Sequence, residues 1–240
     1  MVIMTEMPVA VVSGATRGIG KEVARGLAAR GCRVWLGCRD LSAGEAVAAE
    51  LGASGAVTAV ELDIADDDSV VAAAGVIERD GRVDILINNA ATGGSRPAVE
   101  DTVAGDFSEV MNINLLGAVR LTHALLPLMH KSASPRIVNV TSGRGSFTVN
   151  NDPERMESQL QGLVYPVSKA ALNMLTYQYA RALPTFRVNA VDPGYTATSL
   201  NNFTGTRSPA ESAQTIIALA LDAEGGATGQ LFDASGVLGW

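Results

Sequence analysis

Tyr165 and Lys169 stand four residues apart in Leu163-Val164-Tyr165-Pro166-Val167-Ser168-Lys169-Ala170-Ala171. The run that follows, to Leu183, places small and apolar residues at helical spacing. On a helix, positions i and i+4 lie one turn apart on the same face. The spacing therefore predicts a phenol held beside an ammonium. A free Tyr titrates at about 10 and is a poor proton donor at neutral pH. A fixed cation within about 4–6 Å favours the phenolate and lowers that value. The product is a general acid/base usable near pH 7. The same spacing also fits a plain solvated pair, and the rest of the chain decides between them.

A second constellation lies near the start of the sequence. Val9-Ala10-Val11-Val12-Ser13 is a short apolar run of the kind that forms a buried strand. Gly14-Ala15-Thr16-Arg17-Gly18-Ile19-Gly20 follows, and then a helical pattern through Arg30. A strand, a glycine turn and a helix N-terminus make an anion site. Free backbone N–H groups and the positive end of the helix dipole point at a pyrophosphate. Glycines permit positive φ, close backbone approach and tight helix–strand packing. The spacing is Gly-x-x-x-Gly-x-Gly, and its strand–turn–helix setting separates it from an ordinary tight turn.

Four further segments complete a pattern. They are Asn88-Asn89-Ala90-Ala91, Asn112-Ile113-Asn114-Leu115-Leu116-Gly117, Ile137-Val138-Asn139-Val140-Thr141-Ser142 and Pro193-Gly194-Tyr195-Thr196-Ala197-Thr198. With the glycine turn and the Tyr165–Lys169 segment, these resemble the motifs of the short-chain dehydrogenase/reductase family, in the family's order. The resemblance spans about Val9 to Trp240. It implies a catalytic set of Asn114, Ser142, Tyr165 and Lys169. In that reading Ser142 hydrogen-bonds the substrate oxygen and the Tyr hydroxyl. Asn114 holds a kink and a water linking to Lys169; Asn112 competes for that role, but Asn114 directly precedes Leu-Leu-Gly. The resemblance further implies dinucleotide contacts at Gly14, Arg17, Gly18, Ile19, Gly20, Arg39, Asp63, Ile64, Asn89, Tyr165, Lys169, Pro193 and Thr196. Asp63 would meet the adenine amine, or else cap the next helix, although Asp66 is better placed for capping. Ala91 stands where the family usually has glycine, which narrows the backbone choice there.

Cofactor preference is also legible. Enzymes that bind the ribose 2′-OH usually carry an acid at the end of the second strand. Cys38 occupies that position here, Arg39 follows it, and Arg17 precedes the Gly18-Ile19-Gly20 turn. Two forked arginines suit a 2′-phosphate, so NADP(H) is expected over NAD(H). Asp40 is the counter-argument, since it could pair with Arg39 or take the ribose itself. Ser142 and Tyr165 are 23 residues apart. This is a wider spacing than in simple family members, and the excess at 150–162 resembles the insertion of carbonyl reductases. We expect a substrate lid at 143–163, with Met156, Leu160 and Leu163 turning an apolar helical face inward. A substrate loop is expected at 195–208. The insertion falls where many members form an oligomer contact, so the tetramer of simpler members is less secure here, and a monomer or homo-oligomer such as a dimer is expected.

Strand and helix patterns alternate along the whole chain. Strands are expected at Val9–Ser13, Arg33–Gly37, Val57–Leu62, Ile85–Asn88, Arg136–Val140, Arg187–Val191 and Gln230–Phe232. Helices are expected at Ile19–Ala29, Ala43–Leu51, Ser69–Arg79, Phe107–His130, Tyr165–Leu183 and Pro209–Leu221. This alternation predicts an α/β fold, one Rossmann-type doubly wound parallel sheet of about seven strands with helices on both faces. Ligands of such sheets bind beyond the carboxyl ends of the strands, where Gly14, Asp63, Asn88, Ser142 and Pro193 all fall. Nothing in the 240 residues divides the chain, so 1–240 reads as a single domain.

Bulk properties exclude several classes. Hydrophobic residues make up 47% of the chain, enough for a large core, yet no uninterrupted apolar run approaches the roughly 20 residues of a membrane span. The start, Met1-Val2-Ile3-Met4-Thr5-Glu6-Met7-Pro8, lacks a signal-peptide pattern, so a cytoplasmic location is expected. A net charge of −7 argues against nucleic acid or an anionic membrane as partner and leaves a small molecule. Cys32 and Cys38 flank the second strand, roughly 20 Å apart at strand rise, too far for a disulfide. With two histidines in all, no metal site is expected. The reading is an NADPH-dependent reductase that moves hydride to a ketone or aldehyde. The rivals are an NAD-dependent alcohol dehydrogenase and a non-catalytic dinucleotide sensor on the same fold.

Overall fold

Val9 and Val11 pack into one layer of apolar side chains, Ala10 and Val12 into another. The period-two alternation of a strand thus buries both faces, as in a sheet covered on both sides. A computed structural model describes residues 7–222 and 226–240. The N-terminal stretch read above for a signal peptide lies mostly outside the described residues.

The strands are β1 (Val9–Val12), β2 (Arg33–Cys38), β3 (Val57–Glu61), β4 (Ile85–Asn88), β5 (Arg136–Val140), β6 (Arg187–Val191), β7 (Leu231–Asp233) and β8 (Gly236–Leu238). They form one sheet in the order β3-β2-β1-β4-β5-β6-β7-β8. All neighbours are parallel except β7 and β8, a terminal antiparallel hairpin that adds an eighth strand to the seven expected. β8, three residues long, is too short to leave a periodic signal.

The helices are α1 (Gly18–Ala28), α2 (Leu41–Leu51), α3 (Asp67–Ile77), α4 (Ala104–Met111), α5 (Gly117–Met129), α6 (Phe147–Asn150), α7 (Val164–Ala182) and α8 (Pro209–Leu221). Val23 and Leu27 of α1 and Ile216 and Ile217 of α8 cover one face of the sheet. Val70 and Ile77 of α3 and Leu121 and Leu125 of α5 cover the other, with Tyr179 and Leu183 at its edge. Cys32 and Cys38 are free and buried. Among the described residues no helix is long and apolar enough to cross a membrane.

The single helix expected at Phe107–His130 is interrupted. α4 and α5 are joined by a π-helical turn over Asn112–Leu116. The Gly117 N–H reaches back to the Asn112 carbonyl, which also accepts from Arg120 Nη1 at 3.2 Å. Asn114 lies inside this turn, 2% exposed. Single π turns inside helices are often found at functional sites.

Candidate active site

The strand order reverses between β1 and β4, which opens a crevice at their carboxyl ends. Ser13 closes its floor. The hydroxyl accepts from the backbone N–H of Asn89 at 3.0 Å and of Ala90 at 3.1 Å, and donates to the Ile87 carbonyl at 3.3 Å. Asn89 Nδ2 donates to the carbonyls of Ser13 (2.9 Å) and Gly14 (3.2 Å), so this amide braces the glycine turn. Gly14 adopts φ +64°, and a Cβ on Gly20 would lie 2.5 Å from both Asn89 Nδ2 and the Gly14 carbonyl. Glycine is therefore required at both positions, for conformation at the first and for space at the second. No side chain caps α1, and Gly18, Ile19 and Gly20 line the cleft. The uncapped first turn is the donor set an anionic diphosphate would take.

Beyond this turn the same cleft is lined by Arg17, Cys38, Arg39, Asp40, Asp63 and Ile64. The Asp40 carboxylate accepts from the Ala43 N–H at 3.1 Å and caps α2. Among the described residues, neither Arg17 nor Arg39 forms an ion pair, so Asp40 leaves Arg39 unneutralised. The Cys38 thiol is buried and donates to the Val60 carbonyl at 3.4 Å. Asp63 accepts from the Ala65 N–H at 2.9 Å, while Asp66 caps α3 as its position suggested. Two unpaired guanidiniums beside an uncapped helix N-terminus suit a phosphorylated ribose and a diphosphate.

Ser142, Tyr165 and Lys169 meet in this cleft with Pro193. Ser142 leaves the end of β5, and its hydroxyl accepts from the Arg144 N–H at 3.3 Å. Tyr165 and Lys169 lie in the first two turns of α7, with Lys169 Nζ 5.7 Å from the Tyr165 ring centroid. Lys169 is 2% exposed and its ammonium donates to the Val140 carbonyl at 2.9 Å. Asn114 accepts from the Thr92 N–H at 2.8 Å and donates to the Thr92 carbonyl (3.0 Å) and to Ser168 Oγ (3.0 Å). It ties the loop after β4 to the residue preceding Lys169 and does not touch Lys169 itself.

The electrostatics correct one expectation. Tyr165 is not shifted down by Lys169. Burial of the phenol and then the charge of Asp192 push it up to about 12. Arg144, the Ser142 hydroxyl and Arg96 oppose that rise without cancelling it. Burial likewise pushes Lys169 down to about 8, against the pull of Asp192. Desolvation by burial is the largest cause of both shifts. Tyr165 therefore keeps its proton at neutral pH and holds it more tightly than a free phenol does.

Sequence reasoning missed two residues here. Asp192, at the end of β6, is 5% exposed, accepts from the Gly194 N–H at 3.0 Å, and is pushed up to about 6, chiefly by burial. An acid continuing a buried strand into Pro-Gly was a usable signal. Arg144 was not flagged because nothing in Gly143-Arg144-Gly145 marks it. Its guanidinium lies 5.9 Å from the Tyr165 ring centroid.

The segment expected as a helical lid is irregular. α6 is followed by a 3-10 turn at Met156–Gln159. Met156, Glu157, Leu160 and Gln161 line the main cleft, whereas Leu163 lines only a small adjoining cavity. Pro153 and the polar run around it leave too few consecutive apolar positions for an amphipathic helix. On the loop after β6, the Thr196 hydroxyl is buried against Ser212 Oγ at 2.6 Å. Thr196 and Thr198 both line the cleft, and Thr198 Cγ2 lies 3.4 Å from where a Gly18 Cβ would be.

The family model for the short chain dehydrogenase matches residues 8–208. The (+)-neomenthol dehydrogenase of Arabidopsis thaliana is 35% identical over 88% of this chain and 90% of its own length. The (-)-isopiperitenone reductase of Mentha piperita is 32% identical over 93% of this chain and 95% of its own. Among solved structures, an NADPH-bound carbonyl reductase from chicken fatty liver superposes with a TM-score of 0.86 at 26% identity, over 98% of this chain and 99% of that one. The chain belongs to the short-chain dehydrogenase/reductase family, oxidoreductases that act on CH–OH or C=O groups with a nicotinamide dinucleotide.

Proposed function

We propose that this protein is an NADPH-dependent reductase of ketones or aldehydes in which Tyr165 donates the proton. The observation that carries the reading is a single cleft of about 840 Å³ that holds Tyr165, Lys169 and Ser142 together with the glycine turn, Arg17 and Arg39. The dinucleotide supplies the hydride. Arg17 and Arg39 hold the 2′-phosphate, and the first turn of α1 takes the diphosphate. Ser142 hydrogen-bonds the substrate oxygen. Tyr165, protonated at neutral pH, gives its proton to that oxygen as negative charge develops there. Lys169 binds the nicotinamide ribose and stabilises the phenolate once the proton has left. Asn114 fixes the π turn and, through Ser168, the start of α7. The lid at 143–163 and the loop at 195–208 shape the substrate end.

NADPH and NADH consumption over one panel of ketones and aldehydes tests this. NADPH is expected to be used with at least one substrate class, at a preference of tenfold or more. A preference for NADH, with alcohol oxidation the faster direction, would instead favour an NAD-dependent alcohol dehydrogenase.

A further inference from the structure

Two guanidiniums share the substrate end of the cleft. Arg96, on the loop after β4, and Arg144, two residues after Ser142, both line the main cleft and also the small cavity beside Tyr165. Arg144 lies close to the Tyr165 ring, and the charges of both guanidiniums reach the phenol. Arg144 Nη2 donates to the carbonyls of Leu160 (3.3 Å) and Gln161 (2.8 Å), which are neutral acceptors. Its Nε is buried and has no hydrogen-bond partner. Arg96 Nη2 donates to the Leu200 carbonyl at 3.3 Å.

Among the described residues, neither guanidinium has a carboxylate within ion-pair distance. Asp192 Oδ2 and Glu157 Oε1 lie 2.8 and 3.3 Å from where a Cβ on Gly143 would stand, and Glu109 also lines the cleft, but none of the three forms an ion pair with either guanidinium. Burial pushes Arg144 down, opposed by Tyr165 and helped by the neighbouring Arg96 charge. Arg144 is half-buried and Arg96 exposed, and charges drawn out of water are ordinarily paired. Two like charges brought together in a cleft without a counter-ion are a cost that a bound anion removes. Arg is the side chain suited to a planar carboxylate, through two parallel N–H donors.

We propose that the substrate carries an anionic group, of the carboxylate class, a few bonds from the reduced carbonyl, and that Arg144 and Arg96 hold it. This rests on the reductase reading above. With the carbonyl oxygen at Ser142 and Tyr165, the carboxylate points toward the end of the lid at Leu160 and Gln161. The pairing sets the carbonyl against the Tyr165 hydroxyl, so the two guanidiniums determine specificity and do not take part in proton transfer.

Matched acid and ester pairs test the proposal: acetoacetate with methyl acetoacetate, and levulinate with methyl levulinate, each with NADPH. The readout is the acid-to-ester ratio of kcat/KM within one protein, which is insensitive to any general loss of turnover. The parent is expected to favour the acid by tenfold or more, the worth of one charge-assisted contact. Arg144→Gln and Arg96→Gln should each lower that ratio about tenfold, and Arg144→Lys should restore part of it. A parent ratio of one or below, or a ratio unchanged in all variants, overturns the proposal while leaving the reductase reading intact. If no carbonyl is reduced, the reductase reading fails, and a second measurement decides the anion site alone. Thermal stabilisation of the NADPH-mixed protein by hydrocinnamate is compared with that by hydrocinnamide. Stabilisation by the acid only, lost in Arg96→Gln and Arg144→Gln, supports the site; equal shifts with acid and amide overturn it.

Discussion

Replacing Asp192 by Asn should stabilise the protein above pH 6 and have little effect at pH 4. Asp192 is pushed from 3.8 up to about 6, first by burial and then by Glu157 and Asp233, against the hydrogen bonds from the Gly194 and Gly143 N–H groups. Its folded value lies above its unfolded value. The folded protein therefore holds more protons between those limits, and stability falls as pH rises through the window. A shift of about two units, at 1.36 kcal/mol each, is worth on the order of 3 kcal/mol at neutral pH. For a chain of this size that corresponds to roughly 6–12 °C in Tm. Asn keeps the carbonyl oxygen that accepts from Gly194, and its amide can donate to Glu157, so the shape of the site survives. Thermal melts of parent and variant at pH 4 and pH 7.5, each pair in one buffer, measure the effect. The variant should melt higher at pH 7.5, and the gap should close at pH 4. An equal gap at both pH values, or a less stable variant at pH 7.5, would show that Asp192 is not buried as an ion.

Three further outcomes are expected. Arg39→Gln should raise KM for NADPH by one to two decades, the worth of a charge-assisted contact of about 1.5–3 kcal/mol, and barely change KM for NADH; equal effects would remove Arg39 from the 2′-phosphate. Gly20→Ala places a methyl 2.5 Å from Asn89 Nδ2 and the Gly14 carbonyl, so fluorescence titration should show NADPH affinity falling at least tenfold, with a lower Tm. Shortening residues 150–162 should change the carbonyl panel while leaving the NADPH dissociation constant within about threefold; an unchanged panel would make the segment a surface elaboration.

Most of the fold was legible because its signals are local. Short apolar runs gave seven of the strands, and the glycine turn followed from the conformational freedom that Gly14 needs. Asp66 and Ser208 cap helices in positions that residue type alone suggests. The features that escaped depend on distant partners. A kink at Asn114 was implied by the family resemblance, but its form as a π turn and its ties to Thr92 and Ser168 were not, because those partners are far off in sequence. A buried polar chain joins Thr122, Asn88, Asn139 and Thr176 across two strands and two helices; Asn88 and Asn139 fall in motif segments, but nothing in the sequence pairs them with each other or with the two threonines. The Tyr165–Lys169 pair was legible as geometry, but its titration was not, because burial is a property of the whole fold and dominates both shifts. Arg144 became visible only once the lid end and Tyr165 were seen around it.

The central claim is that Tyr165 is the proton donor of a carbonyl reduction, and Tyr165→Phe tests it most directly. The change removes the hydroxyl and little volume. Turnover with NADPH and the best ketone of the panel should fall by about 10²–10⁴, the usual contribution of a general acid. Circular dichroism and the NADPH dissociation constant should remain those of the parent. Turnover within threefold of the parent, with the fold and cofactor binding retained, would contradict the account.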